Sequence, residues 1–255
     1  MEPNRKVRPF PFPARPEALL PDRAAAAFRE NRLPRGAYSS PRKRLTTKII
    51  EVSAELPDPT VIGRAAEAIR RGRVVAVPTD TLYVLAADPF NLQAVASVFR
   101  AKGREPHRSL PVLVNSLQMA EDFAVHLTSR FYLLARRFWP GPLTIIVPAA
   151  AKLPLRVTGN TGRLALRQSP SAVVNELIGQ LEMPIVATSA NRSGSPTCRS
   201  GYEVLGSMDG KVDLVLDGGA AAGPGATTID ITEPEWVMIR EGAIPRGVIE
   251  ECLQG

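Results

Sequence analysis

Beyond residue 48 the chain breaks into nine short apolar runs, each the length of a strand and none able to cross a bilayer. They fall at 48–52, 73–78, 111–114, 143–147, 164–167, 185–187, 214–217, 227–231 and 236–240. Between them helical spacing recurs at 59–71, closed by Gly72, from Asn91 to near Lys102, and at 117–123, 129–138 and 171–180. The two kinds of segment do not alternate strictly. That order predicts an α/β domain on a large, twisted mixed sheet rather than a doubly wound parallel one.

Residues 1–48 have a different texture. Eight prolines from Pro3 to Pro41 exclude regular elements over much of the segment, apart from one helical turn expected at 23–30. The first fifty residues hold nine Arg and three Lys against four acids, a net charge of +8, and the remaining residues are close to neutral. The basic character of the whole chain, net +7, therefore belongs to the leading arm and does not make the folded body a nucleic-acid binder. The arm is expected to be solvated and mostly disordered, or to touch RNA phosphates. Glu2, Glu17, Asp22 and Glu30 do not suit an organelle-targeting peptide, and no apolar core of a secretion signal is present. Cys198 and Cys252 form no metal-ligand spacing, which fits a reducing compartment, and a cytoplasmic location with no membrane attachment is expected.

The residues that carry chemistry are cations, hydroxyls and amides. Pro78-Thr79-Asp80-Thr81 lies where a buried strand exits, so its side chains either cap a local turn or face a cleft. Lys102-Gly103-Arg104 ends a helix, where the dipole alone favours cations; turned into a cleft, the same pair clamps phosphate, with Arg108 as a third cation. Arg167 ends an apolar strand, either at a wet sheet rim or at a pocket mouth where a carboxylate would be its partner. Thr188-Ser189-Ala190-Asn191-Arg192-Ser193-Gly194 is either a capped turn or a small-residue segment that lets a ligand approach the backbone. Gly223-Pro224-Gly225-Ala226-Thr227-Thr228 precedes a strand and is no P-loop. Arg240 ends the next strand, as a phosphate contact or a rim charge. His107 and His126 are expected at the surface, and Asp80 and Asp88 reach a magnesium at most through water.

Taken in order, Pro78-Thr79-Asp80-Thr81-Leu82-Tyr83, Lys102-Gly103-Arg104, Trp139-Pro140-Gly141-Pro142-Leu143-Thr144, Arg167, Thr188-Ser189-Ala190-Asn191, Thr227-Thr228-Ile229-Asp230 and Ile239-Arg240-Glu241-Gly242 resemble the YrdC/TsaC family over roughly residues 55–247. The resemblance implies a single YrdC-like domain over 49–255, with helices around a large concave basic groove. It implies synthesis of L-threonylcarbamoyladenylate from L-threonine, bicarbonate and ATP with magnesium, releasing pyrophosphate. A tRNA-modifying complex of the TsaD type would then pass the group to A37 of tRNA. By matching motifs, ATP falls to Lys102, Arg104, Arg108, Ser189, Asn191 and Arg240, with Lys102 and Arg104 acting electrostatically. Threonine falls to Thr81, Arg167, Ala187 and Ala226. The chain departs from the family pattern at Val84, Gln168, Ala226 and Glu241, the last a trait of a YciO-like branch. A catalytically altered relative that binds RNA or ribosomes is the alternative.

Overall fold

A computed structural model describes residues 46–105 and 108–254. The 1–45 portion of the arm, including the helical turn expected at 23–30, and His107 lie outside the described residues. Ten strands are present: β1 (Lys48–Glu51), β2 (Val75–Pro78), β3 (Tyr83–Ala87), β4 (Val112–Val114), β5 (Leu143–Pro148), β6 (Arg163–Gln168), β7 (Ile185–Ser189), β8 (Leu214–Asp217), β9 (Thr227–Asp230) and β10 (Val237–Arg240). The helices are α1 (Pro59–Arg70), α2 (Leu92–Lys102), α3 (Leu117–Phe123), α4 (Ser129–Phe138), α5 (Leu155–Thr158), α6 (Ala172–Leu181), α7 (Gly201–Met208) and α8 (Arg246–Gln254).

All ten strands join one sheet in the order β1-β8-β2-β3-β7-β4-β6-β5-β9-β10. It is mixed, as the irregular element order predicts: β1–β8, β8–β2, β4–β6 and β5–β9 run parallel, and the other five pairs antiparallel. The strand that the sequence reading lacks is β3. Its five residues are buried throughout, so they show no polar alternation, and they sit near the centre of the sheet. Also unexpected are α5, α7 and α8. In α7 two glycines dilute the period, and α8 fully buries Ile249 alone.

Strand alternation divides the core in two. Val74, Ala76, Tyr83 and Leu85 point to one side, packed with Val95, Val98, Phe131, Leu134 and Ile249 from α2, α4 and α8. Val75, Val77, Val84 and Ala86 point to the other, packed with Ile62 and Ile69 of α1 and Val174 and Leu177 of α6. α1 and α6 cover this second face over one half of the sheet. Val84, Leu113 and Ala187 lie at the edge of that cover, shared between the core and an open groove that continues over β6, β5, β9 and β10.

Candidate active site

The groove has a volume of about 460 Å³. Its lining contains Thr81, Lys102, Arg104, Arg108, Arg167, Ala187, Ser189, Asn191, Ala226 and Arg240, so all ten residues that the motifs assign to ATP or threonine line one hollow. A larger cavity of about 620 Å³ at the start of α4 holds exposed His126 but none of these residues.

The cation end is built by a helix stop. Asn91 caps the start of α2 with its side-chain oxygen, and Gly103 ends it in the left-handed region at φ 58°, a backbone that disfavours a side chain. The reversal carries Lys102 under the segment after β7. Its ammonium donates to the Asn191 main-chain oxygen at 2.9 Å, to Asn191 Oδ1 at 3.0 Å, to Ser189 Oγ at 3.3 Å and to the Ser189 carbonyl. Ser189 Oγ donates to Asn191 Oδ1 at 2.6 Å, and Asn191 Nδ2 to the Ser195 carbonyl. Lys102 thus ties the Ser189–Asn191 segment into a fixed rim, with no carboxylate among the described residues as partner. Burial first, then the charge of Arg104, pushes its pKa down to about 8. The Arg104 guanidinium has no hydrogen-bond partner among the described residues and lines the groove. Burial and the neighbouring Arg108 lower its pKa.

The opposite end is built around Arg167, which is 6% exposed and lies on the floor rather than at a wet rim. Nε donates to the Gly141 carbonyl at 2.9 Å and Nη1 to Thr81 Oγ1 at 3.0 Å. Nη2 donates to both carboxylate oxygens of Asp80, at 2.7 and 2.6 Å. Ser169 Oγ donates to the same carboxylate at 2.6 Å. This corrects one expectation. Asp80 does not cap the local turn; Thr79 Oγ1 does, accepting from the Thr81 and Leu82 amides and donating to the Leu82 carbonyl. Arg167 faces the groove already paired with a carboxylate of the chain, Asp80. These roles of Asp80 and Ser169 carried no local signal: Asp80 lies 87 residues from Arg167 and 89 from Ser169.

Arg240 donates Nε and Nη2 to the Ala226 carbonyl, at 3.2 and 2.7 Å, and no carboxylate among the described residues pairs with it. Burial of Arg167 lowers its own pKa, Asp80 opposes that, and the charge of Arg240 lowers it further by a smaller amount. Ala187 spends its amide on the Pro111 carbonyl at 2.8 Å, so it offers the groove its methyl group rather than a free N–H. Of the departures, Val84 is part of the floor without closing the hollow. Gln168 turns to the Asn115 carbonyl, and Glu241 accepts from the Arg246 amide; neither lines the groove.

The donor set does not suit a protein-held magnesium. No group of three His, Cys, Asp or Glu among the described residues is placed to hold a metal ion. Asp80 is taken by Arg167 and Ser169, and Asp88 caps the Phe90 amide at 2.7 Å. No helix among the described residues is long and apolar enough to cross a membrane.

The model of the Sua5_yciO_yrdC family, described as telomere recombination, matches residues 67–242. The chain belongs to this family. Within it, the chain is 37% identical over 190 residues to the threonylcarbamoyl-AMP synthase of Pyrococcus abyssi, covering 74% of this chain and 56% of that protein. It is 34% identical over 208 residues to the Bacillus subtilis threonylcarbamoyl-AMP synthase, covering 80% of this chain and 60% of that one. The chain therefore spans less than two thirds of the length of these relatives. Its fold matches the crystal structure of P. abyssi Sua5 complexed with L-threonine, with a TM-score of 0.78 at 37% identity over 81% of this chain and 61% of that one. The E. coli YciO structure shares the fold, with a TM-score of 0.73 at 23% identity over 78% of this chain and 97% of that one. The groove and its cations are thus features of a Sua5/YciO/YrdC family member.

Proposed function

We propose that this chain makes L-threonylcarbamoyladenylate from L-threonine, bicarbonate and ATP, with release of pyrophosphate. The observation that carries the reading is the convergence of all ten selected residues on one groove. Homology to two threonylcarbamoyl-AMP synthases, and a fold like that of a threonine-bound relative, support it. The adenylate would serve the tRNA A37 modification through a TsaD-type partner complex.

The chemistry asks little covalent work of the protein. The threonine amine forms a C–N bond to the bicarbonate carbon, and the C–OH group leaves as water, giving a carbamate. A carbamate oxygen then bonds the α-phosphorus as pyrophosphate leaves. Neither step needs a protein nucleophile; both need two anions held in line and charge stabilised on phosphate. In this reading Arg104 and Arg108 supply free positive charge to the phosphates, and Lys102 holds Ser189 and Asn191 where they meet the nucleotide. Arg240 adds charge from the opposite rim. Thr81 and Arg167, fixed by Asp80, receive the amino acid beside Ala187 and Ala226. Magnesium enters as the counter-ion of ATP. Pyrophosphate release by the purified protein, with each substrate omitted in turn, tests the reading: loss of the signal without threonine supports it, and release that ignores threonine refutes it.

A further inference from the structure

Tyr83 carries a hydroxyl that none of the chemistry above uses. The residue is fully buried, and its side chain lies on the face of the sheet away from the groove. It sits opposite Pro78, where β2 and β3 part into the turn at 79–82. The hydroxyl has one hydrogen to give. Asp217 Oδ1 at 2.9 Å and the Gly219 carbonyl at 2.6 Å share it, and the hydroxyl oxygen accepts from the Gly218 amide at 3.0 Å. Asp217 Oδ1 also accepts from the Gly201 and Gly219 amides, each at 3.1 Å. Burial first, then Asp217, raises the pKa of Tyr83, so the hydroxyl keeps its proton.

These bonds fix the root of the segment 218–226, and that segment packs on the turn that carries Thr81. A Cβ on Gly218 would lie 2.9 Å from Pro78 Cγ. One on Gly223 would lie 3.3 Å from the Asp80 carbonyl oxygen and 3.5 Å from Thr81 Cα. The far end of the segment is held separately. There the Ala226 carbonyl accepts from Arg240, and the Ala243 amide donates to the Gly225 carbonyl at 3.0 Å. The main chain of Tyr83 serves the nucleotide rim instead. Its carbonyl accepts from the Ala190 amide at 2.8 Å, between Ser189 and Asn191, and its amide donates to the Cys198 carbonyl at 3.3 Å. Side chain and backbone of one residue thus support different ends of the groove.

We propose that Tyr83 is a positioning residue for the amino-acid end of the groove. Through Asp217, Gly218 and Gly219 its hydroxyl braces 218–223 against the turn at Asp80 and Thr81, and so sets where Thr81 meets the amino acid. The inference rests on the proposed function for the identity of that ligand. Tyr83 touches no substrate; it acts from the opposite face of the sheet. Without the hydroxyl the brace loosens, while Ala190 keeps its main-chain bond and the nucleotide rim stays in place.

Tyr83→Phe removes the hydroxyl and keeps the ring and the backbone. Initial rates of pyrophosphate release, varying threonine and ATP in turn, give two apparent KM values. The expected result is a threonine KM raised roughly ten-fold, the scale of one lost hydrogen bond, with the ATP value unmoved. Asp217→Ala should do the same. Asp217→Asn keeps an oxygen at the accepting position and should leave the threonine KM near that of the wild type. Equal rises in both KM values, or a lowered melting temperature with both values unmoved, would reduce Tyr83 to a general prop and overturn the proposal. So would an Asp217→Asn variant as impaired as Asp217→Ala. Hydrogen exchange read by mass spectrometry tests the brace without turnover. Peptides covering 218–226 should exchange faster in Tyr83→Phe than in the wild type, and those covering 188–198 at an equal rate; unchanged exchange at 218–226 refutes the brace. Faster exchange there in Tyr83→Phe, with no threonine-dependent pyrophosphate release by the wild type, would remove the proposed function and leave the brace standing.

Discussion

Asp80 grips Arg167 through both carboxylate oxygens, at 2.7 and 2.6 Å, on the floor of a groove otherwise rich in cations. The pair fixes the guanidinium plane, so that Nη1 stays on Thr81 and Nε on Gly141. Asp80→Ala would leave Arg167 buried and unneutralised, a loss that costs about 3 kcal/mol. Urea unfolding should show a decrease of that size. The threonine KM should rise while ATP affinity holds, because Lys102 and Arg104 are not part of this network.

The pH dependence should separate binding from stability. Burial and Arg104 push the Lys102 pKa down to about 8, against an ordinary value of 10.5, so the folded protein gives up this proton before the unfolded chain does. Below about 8 the folded protein carries a buried charge, which costs stability. That cost is relieved as pH rises from about 8 toward 10.5. Anion binding runs the other way: ATP affinity, measured by calorimetry across this range, should fall as Lys102 becomes neutral. A flat affinity profile would show that Lys102 charge does not reach the nucleotide.

Arg104 offers the clearest single-residue test of the phosphate end, since its guanidinium has no partner within the described structure. Arg104→Ala should weaken ATP binding by roughly 1.5–3 kcal/mol, the loss of one charge-assisted bond, with little change in thermal stability. Unchanged ATP affinity in equilibrium binding would place Arg104 in solvent.

Gly141 is required by space. A Cβ there would lie 2.3 Å from the Phe138 carbonyl oxygen, and the Gly141 carbonyl is the acceptor for Arg167 Nε. Gly141→Ala should therefore cost roughly 1–3 kcal/mol in chemical unfolding. It should also raise the threonine KM by displacing Arg167.

Much of this was legible in the sequence because it is local. Asn91 and Gly103 mark the ends of α2 by their cap chemistry, and the apolar runs at β5 and β6 declare strands by composition. The sites were findable because Lys102-Gly103-Arg104 and Ser189-Ala190-Asn191 are dense clusters of donors. β3 escaped because a strand buried on both faces loses the alternation that would mark it. The Asp80–Arg167 pair escaped for another reason. Its members are far apart in the chain, and only the folded sheet brings them together.

The central claim is that one groove joins ATP, bicarbonate and threonine. Its most direct measurement is pyrophosphate release from ATP by the purified chain, with and without threonine at fixed bicarbonate. The account predicts release that requires both threonine and bicarbonate and is lost in Arg104→Ala. Release independent of threonine, or none with all substrates present, would contradict it.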